Sequence, residues 1–165
     1  MKVTLNKLEL KLAKYIGSHR YHNARDKGIE DRKMGDQSCE ETDVEGAAAE
    51  IVFCKAYNLY PDLQFEVLLP HDAILHCGAT VDVKHTKYDS GRLLATTKKI
   101  EHPCDIYVLV TGLKPAYEIR GGMPRELLFR AENIGDLGHG PGYMVEQDIL
   151  WTVDQMVWRF EYGAV

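Results

Sequence analysis

The amino-acid sequence predicts a single α/β or α+β domain built around one mixed β-sheet. Apolar residues recur with a helical period in two segments before residue 60, and strand-like segments fill residues 64–121. Within them, residues 105–112 form a continuous apolar run, which is typical of a central strand covered on both faces. A chain of 165 residues is long enough for one domain with a full hydrophobic core, and the sequence shows no internal repeat or linker.

The N-terminal segment predicts an amphipathic helix with Thr4 as its N-cap. Its apolar residues recur at helical spacing and are Leu5, Leu8, Leu12, Tyr15 and Ile16. Residues 17–41 are polar and contain several glycines, so we expect mostly loop with some helix. Residues 1–36 carry nine Lys or Arg and five Asp or Glu, although the whole chain has a net charge of -5. A basic arm of this kind can bind a polyanion locally, and a solvated helix face explains the same charges equally well.

The segment "TDVEGAAAEIVFCKAYN" predicts the second helix, with Thr42 or Asp43 as its N-cap and Glu45 in its first turn. One face of this helix is apolar and comprises Val44, Ala47, Ala48, Ile51 and Cys54. The helix ends in a short loop before Pro61.

Strands are predicted next, interrupted by Pro, Gly and polar turn residues. Their ranges are 64–69, 72–77, 79–86, 91–97, 105–112, 116–121 and 143–146. A helix is predicted from Pro124 to about Asn133, followed by a loop over residues 135–142 and a terminal element from Thr152.

Several classes of protein are disfavoured by composition. No segment approaches the ~20 apolar residues of a membrane span, and the lysine-rich N-terminus does not have the pattern of a signal peptide. Four cysteines without a CxxC pair indicate reduced thiols, so we expect a cytoplasmic protein with no membrane partner. The spacing of the remaining candidate zinc ligands fits no common zinc site; these are His76, Cys77, His102 and Cys104.

The stretch "HDAILHCGATVDVKHT" carries the strongest candidate for chemistry. Side chains alternate along a strand, so Asp82 and Lys84 share one face while Val81 and Val83 face a core. Asp72 precedes Asp82 by ten residues across a turn, and a hairpin can bring the two carboxylates together. Such a pair suits Mg²⁺ or Mn²⁺. A salt bridge on a solvent-exposed face is the structural alternative.

The preceding helix supplies a further carboxylate, Glu50, at the edge of its apolar face. Gly46 lies one turn earlier on the same side and leaves room for close approach. A carboxylate among apolar neighbours is costly to desolvate without a partner, and a metal ion or a lysine of the sheet would supply one. Glu45 is the competing acid, but a position in the first turn of the helix accounts for it.

An acid on a helix, then Asp72, then Asp-x-Lys on a hairpin resembles the PD-(D/E)xK nuclease superfamily. Its members have the restriction-endonuclease-like fold, a central mixed β-sheet flanked by helices. In detail the chain is similar to small nucleases of that superfamily encoded by bacteriophages. The similar segments are "GAAAEIVFCKAYN", "DVKHTKYDSGRLLA", "CDIYVLVTG" and "YEIRGGMPRELL". The resemblance covers residues 42–152, which implies a catalytic core preceded by a helix and basic arm, 1–41, in a single nuclease domain, 1–165.

The resemblance implies a role for each matching position. Asp72 and Asp82 would bind Mg²⁺ or Mn²⁺, with the carbonyl of Val83 as a third ligand and Glu50 in contact directly or through water. Lys84 would position the attacking water or stabilise the transition state. The implied activity is metal-dependent hydrolysis of DNA phosphodiesters by activated water. The predicted catalytic residues are Glu50, Asp72, Asp82 and Lys84.

A basic group follows the Asp-x-Lys motif and consists of Lys87, Arg92, Lys98 and Lys99. We expect these residues to contact the nucleic-acid backbone, because neutralising phosphates supplies affinity without sequence specificity. DNA is the expected partner, with RNA left open, as are the oligomeric state and the choice between endonuclease and exonuclease. The alternative is a non-catalytic protein on a nuclease-like fold, which binds nucleic acid or a protein partner.

Overall fold

The computed structural model describes residues 1–29, 38–65, 70–136 and 140–163. The helices are α1 (Lys7–Asp26), α2 (Cys39–Ala56), α3 (Arg125–Leu128) and α4 (Val153–Tyr162). The strands are β1 (Lys2–Thr4), β2 (Ala73–Ile74), β3 (Thr80–Thr86), β4 (Leu93–Thr96), β5 (Ile106–Leu113), β6 (Ala116–Pro124), β7 (Ile134–Asp136) and β8 (Pro141–Val145). The protein therefore belongs to the mixed α+β class, as the sequence predicts.

Helix α1 is longer than the sequence predicts. Its N-cap is Asn6, not Thr4, and Asn6 forms a capping box with Glu9. The helix continues to residue 26 through Gly17, which the sequence pattern assigned to a loop. Gly17 lies where α1 meets α2, and an added Cβ would approach the Cα of Val44 to 2.4 Å. Glycine is needed here because the two helices touch, not because the helix ends.

Helix α2 begins earlier than predicted. Ser38 is the N-cap and forms a capping box with Glu41, so Thr42 and Asp43 lie inside the helix. The predicted apolar face is buried at Ala47, Ala48, Ile51 and Cys54, and Val44 is half-buried. Four further residues of α2 are buried, because the helix packs against both α1 and the main sheet; they are Glu45, Ala49, Val52 and Phe53.

Five strands form the main sheet in the order β1-β6-β5-β3-β2. Only β3 and β5 are parallel, and the other neighbours are antiparallel, so the sheet is mixed. The β2–β3 hairpin turns at Gly78, which has a φ of +91°. Strand β2 is shorter than the predicted strand 72–77, and this leaves Asp72 just outside it.

A second sheet of three strands has the order β4-β8-β7. The predicted loop 135–142 is partly wrong, because Asp136 ends β7 and Pro141 begins β8. The predicted helix after Pro124 is confined to α3 and a 3₁₀ turn over Ala131–Asn133. Most of the predicted strand 64–69 lies outside the described residues, and Gln64 and Phe65 are not in a strand.

The main sheet separates two hydrophobic clusters. Val81 and Val108 face the cluster that contains α1 and α2, whereas Tyr107 and Leu109 face the cluster that contains β4 and β8. Asp82 pairs with Tyr107 in the parallel register. Because paired residues share a face of a sheet, Asp82 lies on the side away from α2.

Among the described residues, no helix has both the length and the apolar character needed to cross a membrane.

Candidate active site

The site lies at the edge of β3 beyond Val81, where β2 no longer pairs with it. The backbone N–H of Asp72 donates to the carbonyl of Val81 at 2.8 Å, which fixes Asp72 beside the strand. Its carboxylate accepts a hydrogen bond from the N–H of Val83 at 2.6 Å. Asp72 therefore satisfies a strand N–H that has no strand partner on that side among the described residues. The contact shown for Val83 is through its N–H, whereas the resemblance implied its carbonyl.

Asp82 and Lys84 share a face of β3, as the alternation predicts. The Asp82 residue is only 1% exposed, and the ammonium group of Lys84 contacts its Oδ1. About a quarter of the Lys84 side chain remains exposed. The pair is thus a buried carboxylate with a lysine that reaches the surface, rather than the solvent-exposed salt bridge considered as the alternative.

A second lysine, Lys99, binds the other carboxylate oxygen of Asp82. Its Nζ lies 2.5 Å from Oδ2 and comes from the 3₁₀ helix Thr97–Glu101, between β4 and β5. The sequence placed Lys99 among residues that contact nucleic acid, and no local pattern links it to Asp82, 17 positions away. Two ammonium groups therefore bracket a single buried carboxylate.

Glu50 lies on α2 and is held by Arg20 of α1. Nη1 of Arg20 is 2.7 Å from each carboxylate oxygen, and both side chains are largely buried. The same guanidinium approaches Asp62 at 3.7 Å and donates to the carbonyl of Gln64 at 3.3 Å. The partner of Glu50 is thus an arginine, where the sequence suggested a metal ion or a lysine of the sheet. Residues near position 20 were expected to form a loop, so this partner was missed.

The electrostatics link Glu50 to Asp72. Burial and, after it, the charge of Asp72 raise the pKa of Glu50 to about 8, although Arg20 opposes the shift. Burial and the charge of Asp82 likewise raise the pKa of Asp72. Both carboxyl groups therefore hold their protons to a higher pH than usual. Additional positive charge nearby would stabilise their ionised forms.

Asp82 behaves differently because two cations contact it. Burial alone would raise the pKa of Asp82, but Lys84 and Lys99 outweigh burial and lower it. In return, Asp82 and then Asp72 outweigh the effect of burial on Lys84 and raise the pKa of its ammonium group. Asp82 is thus the carboxylate of the site that remains ionised near neutral pH.

Glu45, the competing acid of α2, is bound elsewhere. It is 7% exposed and accepts a hydrogen bond from the hydroxyl of Tyr117 at 2.7 Å, and Lys114 approaches it at 3.5 Å. It lies in the interior of α2, not in the first turn as the sequence suggested. The space beside Gly46 is open, since an added Cβ would meet no atom within 4 Å.

Asp72 and Asp82 are the side chains of this site that could hold a divalent cation. Mg²⁺ is usually held by one or two carboxylates together with water and substrate phosphate, and Asp72 and Asp82 supply two carboxylates. Among the described residues, Oδ1 of Asp82 is buried and receives no hydrogen bond, and its contact is the ammonium group of Lys84. In the part of the chain that is described, no three His, Cys, Asp or Glu side chains are grouped closely enough to hold a metal ion. The ammonium groups of Lys84 and Lys99 occupy the oxygens of Asp82 instead.

Three members of the predicted basic group contact other side chains of the protein. Lys99 contacts Asp82, Arg92 pairs with Glu146 at 2.7 Å, and the ammonium of Lys87 lies over the ring of Tyr88. Lys98 is exposed. The role of these side chains as phosphate contacts stays a prediction.

No protein-family model matches the chain, and neither the curated proteins nor the solved structures include a match to it.

Proposed function

We propose that the protein is a Mg²⁺- or Mn²⁺-dependent DNA nuclease of the PD-(D/E)xK type, encoded by a bacteriophage and acting in the host cytoplasm. The observation that carries the proposal is the buried Asp82 with Lys84 beside it and Asp72 at the same strand edge. The order of elements around this pair supports a restriction-endonuclease-like fold. Helix α2 packs on a sheet in which the β2–β3 hairpin is followed by parallel β5 and antiparallel β6.

The side chains of the site have distinct tasks in this proposal. Asp72 and Asp82 would hold the divalent cation, which when bound supplies Lewis-acid stabilisation of the phosphate and a more acidic water. Lys84 reaches the surface from the buried carboxylate, so its ammonium group can orient a water or stabilise negative charge on a phosphate. Glu50 adds a third carboxyl beside Asp72, and Arg20 fixes its orientation.

One observation favours a second candidate function, non-catalytic nucleic-acid binding on the same fold. The carboxylates that a metal ion would need are already neutralised, Asp82 by two lysines and Glu50 by Arg20. A protein that had lost catalysis would have the same internal ion pairs and would still bind a polyanion.

Purified protein incubated with three DNA substrates tests the proposal. The substrates are linear duplex, supercoiled plasmid and circular single-stranded DNA, each with Mg²⁺, with Mn²⁺ and with EDTA. We expect cleavage that depends on the metal. Cleavage of linear DNA alone would indicate an exonuclease, and cleavage of circles an endonuclease.

Two results would contradict the proposal. Cleavage in EDTA at the rate seen with metal would show that cleavage does not depend on a metal ion. Binding of DNA without cleavage of any substrate under any of the metal conditions would favour the non-catalytic candidate. A parallel assay on RNA of matched length defines which nucleic acid is the substrate.

A further inference from the structure

Two lysines contact the single carboxylate of Asp82, although one would balance its charge. Its side chain is 2% exposed, Lys84 contacts Oδ1, and Lys99 lies 2.5 Å from Oδ2. Lys84 is a local consequence of the strand, because residues two apart share a face. Lys99 has no such origin, since it reaches the carboxylate from the 3₁₀ helix between β4 and β5.

Contacts with two other elements hold the backbone around Lys99 in place. The hydroxyl of Tyr107, on β5, donates to the carbonyl of Lys99 at 3.3 Å. The guanidinium of Arg125, at the start of α3, donates to the carbonyls of Ile100 and His102. The backbone of this 3₁₀ helix is therefore tied to the main sheet and α3. About a quarter of the Lys99 side chain is exposed, the same fraction as for Lys84, so solvent reaches part of each lysine side chain.

The balance of charge shows what a metal ion would encounter. Asp72 and Asp82 carry two negative charges when ionised, and Lys84 and Lys99 carry two positive charges that act on both carboxylates. The charges balance when both carboxylates are ionised, and the site is positive when Asp72 carries a proton. A divalent cation that enters it would meet two ammonium groups at contact distance, where repulsion between like charges is strong.

We propose that Lys99 competes with the divalent cation for the carboxylate of Asp82, so that the metal ion binds only when Lys99 withdraws. This inference rests on the proposed function, because it assumes that Asp82 is a metal ligand. Lys84 keeps its place in this proposal because the proposed function assigns it to the attacking water or the phosphate, and Lys99 is the cation that exchanges. Lys99 lowers the affinity of the protein for the metal, and its release places a free ammonium group at the mouth of the site.

Binding of Mn²⁺ to the protein without nucleic acid, measured by titration calorimetry, tests the competition. We expect Lys99→Met to lower the Kd for Mn²⁺ roughly tenfold, a typical coupling between groups in contact. Lys99→Gln, which keeps a hydrogen-bond donor but removes the charge, should shift the Kd in the same direction. Lys98→Met is the matched control, because it removes the same charge from an exposed side chain of the same 3₁₀ helix. Its effect should stay within about twofold, as expected for a screened surface charge.

The outcomes separate failure of this inference from failure of the proposed function. Asp82→Asn should abolish Mn²⁺ binding. If Mn²⁺ binding depends on Asp82 but both Lys99 variants bind no more tightly than Lys98→Met, the competition is overturned and the nuclease proposal stands. If Mn²⁺ does not bind, or binds equally well after Asp82→Asn, in the wild type and in both Lys99 variants, then the competition and the nuclease proposal are both overturned. Thermal unfolding of each variant by circular dichroism confirms that the compared proteins are folded.

Discussion

Arg20 and Glu50 join two helices at the candidate active site. Nη1 of Arg20 lies 2.7 Å from both carboxylate oxygens of Glu50, across 30 positions of sequence. The same arginine contacts Asp62 and the carbonyl of Gln64, so it ties the loop after α2 to α1. Helix α1 therefore supports the site directly and is more than a basic arm.

We expect Arg20→Ala to lower the free energy of unfolding by about 2–3 kcal/mol, measured by urea denaturation. Breaking a buried ion pair costs ~3–5 kcal/mol. The cost should be smaller here because Glu50, with a pKa of about 8, largely carries a proton near neutral pH and is not left as an unpaired buried charge. Arg92→Ala is the control, since it removes an arginine from an exposed pair with Glu146 and should cost less than ~1 kcal/mol. Equal costs for the two variants would show that the buried pair contributes no more to stability than an exposed one.

The raised pKa of Glu50 predicts a pH-dependent stability. The folded protein holds the proton on Glu50 up to a pKa of about 8, whereas the ordinary value is 4.5. The folded state therefore binds this proton more tightly than the unfolded state. The associated stability is fully present below pH 4.5 and is lost as the pH rises through about 8.

Urea-denaturation midpoints from pH 5 to pH 9 measure this effect. Glu50→Gln should flatten the dependence, because glutamine does not titrate. Asp72→Asn should lower the pKa of Glu50, because it removes a negative charge that raises it. Arg20 and Asp62 also face Glu50 and are unchanged in both variants. A wild-type curve with the slope of the Glu50→Gln curve would contradict the assignment.

For activity, we expect Asp82→Asn and Lys84→Met each to lower the rate of plasmid cleavage by roughly 10²–10⁴. Asp82 would lose its charge as a ligand, and Lys84 its contact with water or phosphate. Arg130→Met is a control for the loss of a surface charge, since its pairing with Glu132 is exposed and belongs to no part of the site. Retention of more than a tenth of wild-type activity in both Asp82→Asn and Lys84→Met would exclude the proposed mechanism.

Two glycines provide a matched test of the packing of α1 on α2. We expect Gly17→Ala to destabilise the protein by about 1–3 kcal/mol, because the added Cβ would meet the backbone of Val44. We expect Gly46→Ala to stabilise it by about 1 kcal/mol, because its Cβ meets nothing within 4 Å and alanine is the better helix former. Both free energies come from urea denaturation. Stabilisation by Gly17→Ala would contradict the close approach of the two helices.

The extent of sequence prediction differs between elements for physical reasons. The predicted apolar face of α2 is buried, but the helix is also buried beyond that face and begins after Ser38, several residues earlier than the sequence predicts. The capping box of Ser38 and Glu41 lies before the apolar residues begin, so a start chosen from the apolar residues alone misses it. Helix α1 was cut short at Gly17 because glycine disfavours helices locally, whereas contact with Val44 requires it globally.

The sequence by itself determined the parts of the site that depend on local geometry. The alternation along β3 places Asp82 and Lys84 together, and the turn at Gly78 brings Asp72 to the edge of the strand. Only the tertiary structure decided which cations these acids meet. Arg20 reaches Glu50 because α1 packs on α2, and Lys99 reaches Asp82 because Tyr107 and Arg125 hold its 3₁₀ helix. Strand periodicity is a property of neighbouring residues, whereas ion pairs across 17 and 30 positions depend on how whole elements pack.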